Sequence, residues 1–255
     1  MRKPHEWWTR TWNPITGCTR ISDGCANCYA HRMHERFGCT IHGSQVFVDY
    51  EENEEHERAV DFGKLLFHAD RLSEPSGWRS PQIVFVGSMT DMFHEQVQAK
   101  WVSAVCAAMT EAPQHTYVIL TKRPTRLILD RFTPLRDCYM LRNVYIGVSV
   151  EDQATAEERI PALLGVCYGR TVVSYEPALG PVRLAGWLPS LSGVIAGAET
   201  GPGARPADPE WFRRVAYECA YDAAPVPFFL KQINARRERT LDGRTHDDLP
   251  WRIEA

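Results

Sequence analysis

From about residue 82 onward, short apolar β-branched runs alternate with stretches of helical period, and this alternation restricts the possible folds more than any other feature. The runs are Ile83-Val84-Phe85-Val86, Tyr117-Val118-Ile119-Leu120, Val144-Tyr145-Ile146-Gly147-Val148, Thr171-Val172-Val173, Val194-Ile195-Ala196 and Val226-Pro227-Phe228-Phe229-Leu230. Each is almost continuously apolar, as strands covered on both faces must be. Between them lie helix candidates at 95–111, 124–131, 152–164 and 208–222, the last opening with an Asp208 cap and Pro209 at the first helical position. Strand–helix alternation predicts an α/β fold with a parallel sheet or barrel.

The strand ends carry the chemistry. They read Gly87-Ser88-Met89-Thr90-Asp91, Thr121-Lys122-Arg123-Pro124, Ser149-Val150-Glu151, Ser174-Tyr175-Glu176-Pro177, Gly197-Ala198-Glu199 and Lys231-Gln232. In a parallel α/β fold these ends share one face, and that face holds the site. Six polar ends therefore predict a ring of functional groups, although strand-to-helix loops are polar in any case.

Residues 40–80 break the pattern. The acidic run Glu51, Glu52, Glu54, Glu55 and Glu57 is expected to be a solvated helix or an insertion, with no strand. Residues 233–255, with Arg236, Arg237, Arg239 and Arg244, are expected to form a solvated tail. At 255 residues and 44% hydrophobic, the chain suffices for one large domain. A net charge of -3 restricts nucleic-acid binding to a local basic patch. No apolar run approaches the roughly 18 residues that span a bilayer, and the N-terminus lacks the apolar core of a signal peptide. A cytoplasmic protein without membrane contact is expected.

Five of the eight cysteines, Cys39, Cys106, Cys138, Cys167 and Cys219, share no spacing and are expected to be reduced thiols, Cys106 and Cys219 in the core. The other three, Cys18, Cys25 and Cys28, form C-x6-C-x2-C in a loop with Gly17, Gly24 and Pro14. The helical stretch after it would turn a positive N-terminus toward three thiolates. Zinc asks for four ligands, and His31 or His34 would have to complete the set. A [4Fe-4S] cluster on three cysteines leaves one iron open for an external ligand such as S-adenosylmethionine.

The chain resembles a phage-associated three-Cys-motif family that is itself similar to radical SAM enzymes. The resemblance covers Thr11-Trp12-Asn13-Pro14 through Cys28-Tyr29-Ala30, the strand-end segments above, and Gly197-Ala198-Glu199-Thr200-Gly201-Pro202-Gly203-Ala204-Arg205-Pro206. It implies a single domain over 1–255 built as a partial (βα)6-type barrel of the radical SAM kind, with the cysteine loop after a short first strand. The interval between Cys18 and Cys25 is three residues longer than the commonest radical SAM spacing, C-x3-C-x2-C. The cofactors implied are a [4Fe-4S] cluster and S-adenosylmethionine, which together yield a 5′-deoxyadenosyl radical.

By position, Ser88 and Asp91 would meet the methionyl amine, Lys122 or Arg123 its carboxylate, Ser149 and Glu151 the ribose, and Tyr29 the adenine. Glu176, Glu199, Lys231 and Gln232 would face the substrate, and Tyr175 would relay a hydrogen atom or an electron. Salt bridges between barrel loops, Lys122 with Glu151 among them, are the competing use of these residues. The loop from Gly201 to Pro206 would either cradle a phosphate or set Arg205 on a carboxylate. The expected partners are a nucleic-acid or nucleotide substrate and an electron donor such as flavodoxin or ferredoxin. An iron–sulfur nucleic-acid-binding or sensing protein without SAM cleavage, and a zinc-stabilised binding domain, are the alternatives.

Overall fold

The computed structural model describes residues 6–41, 47–51, 54–58, 61–128, 141–167, 170–221 and 225–251. In chain order the strands are β1 (Arg10–Trp12), β2 (Ile15–Thr16), β3 (Phe47–Glu51), β4 (Glu54–Arg58), β5 (Leu66–Phe67), β6 (Ile83–Val86), β7 (Thr116–Thr121), β8 (Val144–Val150), β9 (Thr171–Tyr175), β10 (Gly193–Gly197) and β11 (Phe228–Gln232). The helices are α1 (Tyr29–Ile41), α2 (Ala99–Glu111), α3 (Gln153–Leu164) and α4 (Pro209–Tyr221). All six apolar runs are strands. Three helix candidates appear within a few residues of expectation, while 124–131 shows only a 3-10 turn over Pro124–Ile128 among its described residues.

Seven strands form one parallel sheet in the order β1-β6-β7-β8-β9-β10-β11, curled into a half-barrel. Spatial order follows chain order throughout. The sheet is therefore wound in one direction, without the reversal that marks a doubly wound fold. The strands of the six apolar runs are joined at the edge by β1, the short first strand expected before the cysteine loop, in register with β6 from Arg10↔Val84 to Trp12↔Val86.

Strand alternation divides the apolar residues into two cores. Outward-facing Val84, Tyr117, Ile146, Val148, Val173, Val194 and Leu230 pack beneath the helices with Val105, Ile160 and Phe212. Inward-facing Ile83, Val118, Val172, Ile195 and Phe229 fill the bore together with Trp7 and Trp251. Trp251 therefore corrects the expectation of a solvated tail over 233–255. Its ring lies 5.6 Å from Trp7 and 5.1 Å from Tyr145, and Tyr145 donates a hydrogen bond to the Pro250 carbonyl at 3.1 Å. The reason is geometric: a half-barrel has an open bore, and the chain's own ends supply the aromatic area that plugs it.

The acidic run is a second correction. Phe47–Glu51 and Glu54–Arg58 pair as an antiparallel hairpin, in register from Phe47↔Arg58 to Glu51↔Glu54. Phe47, Val48 and Tyr50 supply β propensity within a segment whose charge suggested a helix. Cys167 and Cys219 are free and buried, but Cys106 is disulfide-bonded and not a reduced thiol. The side chains of Cys39 and Cys138 lie outside the described residues. No helix among the described residues is long and apolar enough to cross a membrane.

Candidate active site at the mouth of the half-barrel

The cysteine loop leaves β1 and β2 and lies across the C-terminal ends of the strands. Gly17 opens it with φ of +95°, and a Cβ there would stand 2.2 Å from the Lys64 carbonyl oxygen, so only glycine fits. Backbone N–H groups of Gly17 and Cys18 donate to Met89 and Phe62 carbonyls at 3.1 and 2.9 Å. A 3-10 turn over Asp23–Cys25 follows, and Cys28 sits immediately before α1. All three thiols are half-buried.

Charge around the thiols is uneven. Burial and the Asp91 carboxylate push the Cys18 thiol up to about 12, against the pull of Arg123, while Cys25 and Cys28 add to the rise. Burial also raises Cys25, but the Lys122 ammonium and hydrogen bonds from Ile21 and Ser22 outweigh it and hold that thiol below its ordinary value. Arg123 Nη1 lies 3.9 Å from Cys18 Sγ. Three half-buried thiols beside an arginine, a lysine and a helix N-terminus suit an anionic thiolate-bound group. Among the described residues, no group of three or more His, Cys, Asp or Glu side chains is drawn closely enough together to hold a single metal ion. Of the two histidines, either of which could complete a zinc site, His31 lies 3.3 Å from Glu35, and both rings turn to Phe62 at 5.6 and 5.3 Å.

Below the loop lies a cavity of about 220 Å³, lined by Cys28, Tyr29, Lys122, Ser149, Ser174, Glu176, Glu199, Lys231 and Gln232, with Trp7, Trp8 and Phe85 among its apolar residues. Seven of the thirteen predicted site residues meet there. Lys231 Nζ lies 2.8 Å from Glu176 Oε1 and 5.2 Å above the Trp8 ring. Ser174 donates to the other Glu176 oxygen at 3.1 Å. A register shift between Ala196 and Gly197 pairs Gly197 with Gln232; both Lys231 and Gln232 line the cavity, and such bulges re-aim side chains beside sites.

Other predicted residues are used differently. Tyr175 is fully buried, turned toward Phe212 at 6.1 Å, with its hydroxyl on the Gly180 carbonyl. Strand alternation sends Ser174 and Glu176 inward and Tyr175 outward, so Tyr175 does not reach the cavity. Ser88 exchanges hydrogen bonds with Asn13 at 3.1 and 3.2 Å, and its carbonyl accepts from the Tyr29 hydroxyl at 2.5 Å. Burial pushes the Tyr29 phenol up against the pull of the Ser88 hydrogen bond, and Cys28 and Glu176 add to the rise. Asp91 accepts from Thr121 Oγ1 at 2.7 Å, from the Phe93 and Lys122 N–H groups at 3.0 Å, and from Arg123 at 3.3 Å.

Glu151 is a hub. It accepts from Lys122 Nζ at 2.5 Å, Ser22 Oγ at 2.8 Å and Arg159 Nη1 at 3.2 Å. Local sequence builds it: Asp152 caps α3, Thr155 Oγ1 accepts from the Glu151 N–H at 2.9 Å, and Arg159 reaches back from two turns into the helix. The anticipated Lys122–Glu151 ion pair is present. Glu199 is held by Arg205 at 2.6 Å and by Asn27 Nδ2 at 3.0 Å. Burial raises its carboxyl, but the Arg205 and Asn27 hydrogen bonds dominate and bring it down to about 2. Arg205 thus sits on a carboxylate, the second of the two uses foreseen for its loop.

Sequence reasoning missed Asn27, Arg159, Ser174 and Trp8. Ser174 was legible from strand alternation; Trp8 carried no local signal. The family described as protein of unknown function (DUF5131) matches over residues 3–250. No curated protein and no solved structure matches the chain.

Proposed function

We propose that this chain, which belongs to the DUF5131 family, is a radical SAM enzyme whose Cys18, Cys25 and Cys28 hold a [4Fe-4S] cluster. The observation that carries this is a juxtaposition. A three-cysteine loop crosses the C-terminal mouth of a singly wound parallel half-barrel, and Cys28 shares one cavity with Lys122, Ser149, Glu176 and Lys231 from the strand ends. When bound and reduced, the cluster would supply one electron to the S–C5′ bond of S-adenosylmethionine, giving methionine and a 5′-deoxyadenosyl radical.

The protein's own groups do the rest. Lys122, held by Glu151 at 2.5 Å, offers its remaining N–H donors to a ligand carboxylate near Cys25. Ser149 presents a hydroxyl that has no hydrogen bond among the described residues, suited to a ribose. Glu199 stays ionised and fully engaged, so it orients the loop and moves no proton. At the far wall, Glu176 and Lys231 present an acceptor and a donor side by side above Trp8, suited to a planar nucleobase or nucleotide substrate. Trp7 and Trp251 close the bore and keep water from entering behind it. A small electron-transfer protein such as flavodoxin or ferredoxin would deliver the electron at the exposed loop edge near Ile21.

Anaerobic purification followed by iron and sulfide analysis tests the cluster. About four irons per chain are expected, with visible absorbance that bleaches on dithionite. Stoichiometric zinc in colourless protein would sink the proposal. Incubation with S-adenosylmethionine and reductant should release 5′-deoxyadenosine. A cluster-loaded protein that releases none with any DNA or nucleotide present would point to an iron–sulfur binding protein.

A further inference from the structure

We propose that three strand-end carboxylates, Asp91, Glu151 and Glu199, are positioning residues that hold the cysteine loop in its ligand-ready shape before any metal arrives. This rests on Cys18, Cys25 and Cys28 being the cluster ligands. The three carboxylates follow alternate strands β6, β8 and β10, and each fastens a different interval of the loop.

The first anchor fixes the residue after Cys18. Asp91 holds Arg123 at 3.3 Å, and Arg123 Nη2 donates to the Thr19 carbonyl at 2.9 Å and its hydroxyl at 3.1 Å. The second fixes the approach to Cys25. Glu151 accepts from Ser22 Oγ at 2.8 Å, and a Cβ on Gly24 would stand 2.5 Å from the Glu151 side chain. The third fixes the stretch on either side of Cys25. Glu199 accepts from Asn27 at 3.0 Å, and its partner Arg205 donates to the Asp23 carbonyl at 2.9 Å. Both Glu199 oxygens are occupied, and neither Asp91 nor Glu151 lines the cavity.

Two further contacts from outside help to order the loop: Thr19 Oγ1 meets His94 Nε2 at 2.7 Å, and Asn27 Nδ2 also donates to the Gly203 carbonyl at 2.9 Å. Arg20 and Ile21 are exposed, Ile21 by 47%. Its backbone contributes a short turn, Cys25 N–H to Ser22 and Ala26 N–H to Asp23. An interval of six residues between Cys18 and Cys25 leaves their separation undefined unless side chains from outside the loop set it. The three anchors set it. The long spacing and the ring of carboxylates then form one device: the barrel supplies the rigidity that a shorter cysteine interval would supply by itself.

Hydrogen exchange on the chelator-treated, metal-free protein tests this. Peptides spanning 18–28 should be protected in wild type, most of all at the Cys25 and Ala26 amides. Ser22→Ala and Glu199→Gln should each speed their exchange by about tenfold, the effect of one lost hydrogen bond to a charged group. Ser22→Thr, which keeps the hydroxyl, should restore protection. After anaerobic reconstitution, cluster loss to a chelator should accelerate in the same order. A wild-type loop that exchanges at the unfolded rate without metal overturns the proposal, as do variants indistinguishable from wild type. A wild type that binds no iron or sulfide, yet shows the anchored protection, overturns the cluster assignment and upholds the anchors.

Discussion

At the scale of single residues, Gly24 and Glu199 show how tightly the loop is fitted. A methyl group at Gly24 meets Glu151, whose carboxylate cannot retreat without breaking its bonds to Lys122 and Arg159. Gly24→Ala should therefore cost about 1–3 kcal/mol in urea unfolding and lower iron retention. An alanine variant with wild-type values for both would show that Glu151 yields. Glu199 is read through pH. Its carboxyl is lowered from 4.5 to about 2 in the folded chain, so it adds stability above the unfolded value and loses that contribution as pH falls toward 2. The full contribution is about 3 kcal/mol. Glu199→Gln should flatten the decline of unfolding free energy between about pH 4.5 and pH 2. Much of this was hidden in the sequence. Carboxylates at strand ends were visible, but nothing local distinguishes Glu176, which faces a cavity, from Asp91, which is consumed by Thr121, Lys122 and Arg123. Only their places in three dimensions, Glu176 in the cavity wall and Asp91 outside it, separate them.

At the scale of elements, the parallel strands were legible because each is buried on both faces and bounded by polar ends. Asp152 and Thr155 likewise spell out the start of α3. The hairpin β3–β4 was not legible: Glu51, Glu54, Glu55 and Glu57 read as a solvated helix, and cross-strand pairing of like charges is a poor guide to a strand. Among the described residues its two strands pair with one another and with no other strand. Replacing residues 47–58 by a short Gly-Ser linker should thus leave the midpoint of thermal unfolding and the iron content unchanged. A fall in either would tie the hairpin to the barrel. The bulge at Ala196 and Gly197 had no signal beyond the glycine itself, yet both Lys231 and Gln232 line the cavity beside it.

At the scale of the molecule, the bore is the feature that sequence patterns did not reveal. Periodicity describes what a segment buries, and says nothing about which distant segment covers it. Trp7 and Trp251 are 1% and 4% exposed and lie against one another within the half-barrel. Trp251→Ala should cost about 3–5 kcal/mol by urea unfolding, and would leave Trp7 and Tyr145 facing a void. A second groove, of about 1490 Å³, opens at the opposite ends of the strands and holds none of the three clustered cysteines.

The plug also bears on how such a protein comes into being. Trp8 forms part of the cavity floor, and the cover of Trp7 beside it is completed by Trp251. During synthesis the ribosome must therefore deliver nearly all of the described chain before the chamber has a back wall. Closure at such long range is slow, and a nascent chain would pass that interval with its cysteine loop formed over an unfinished bore.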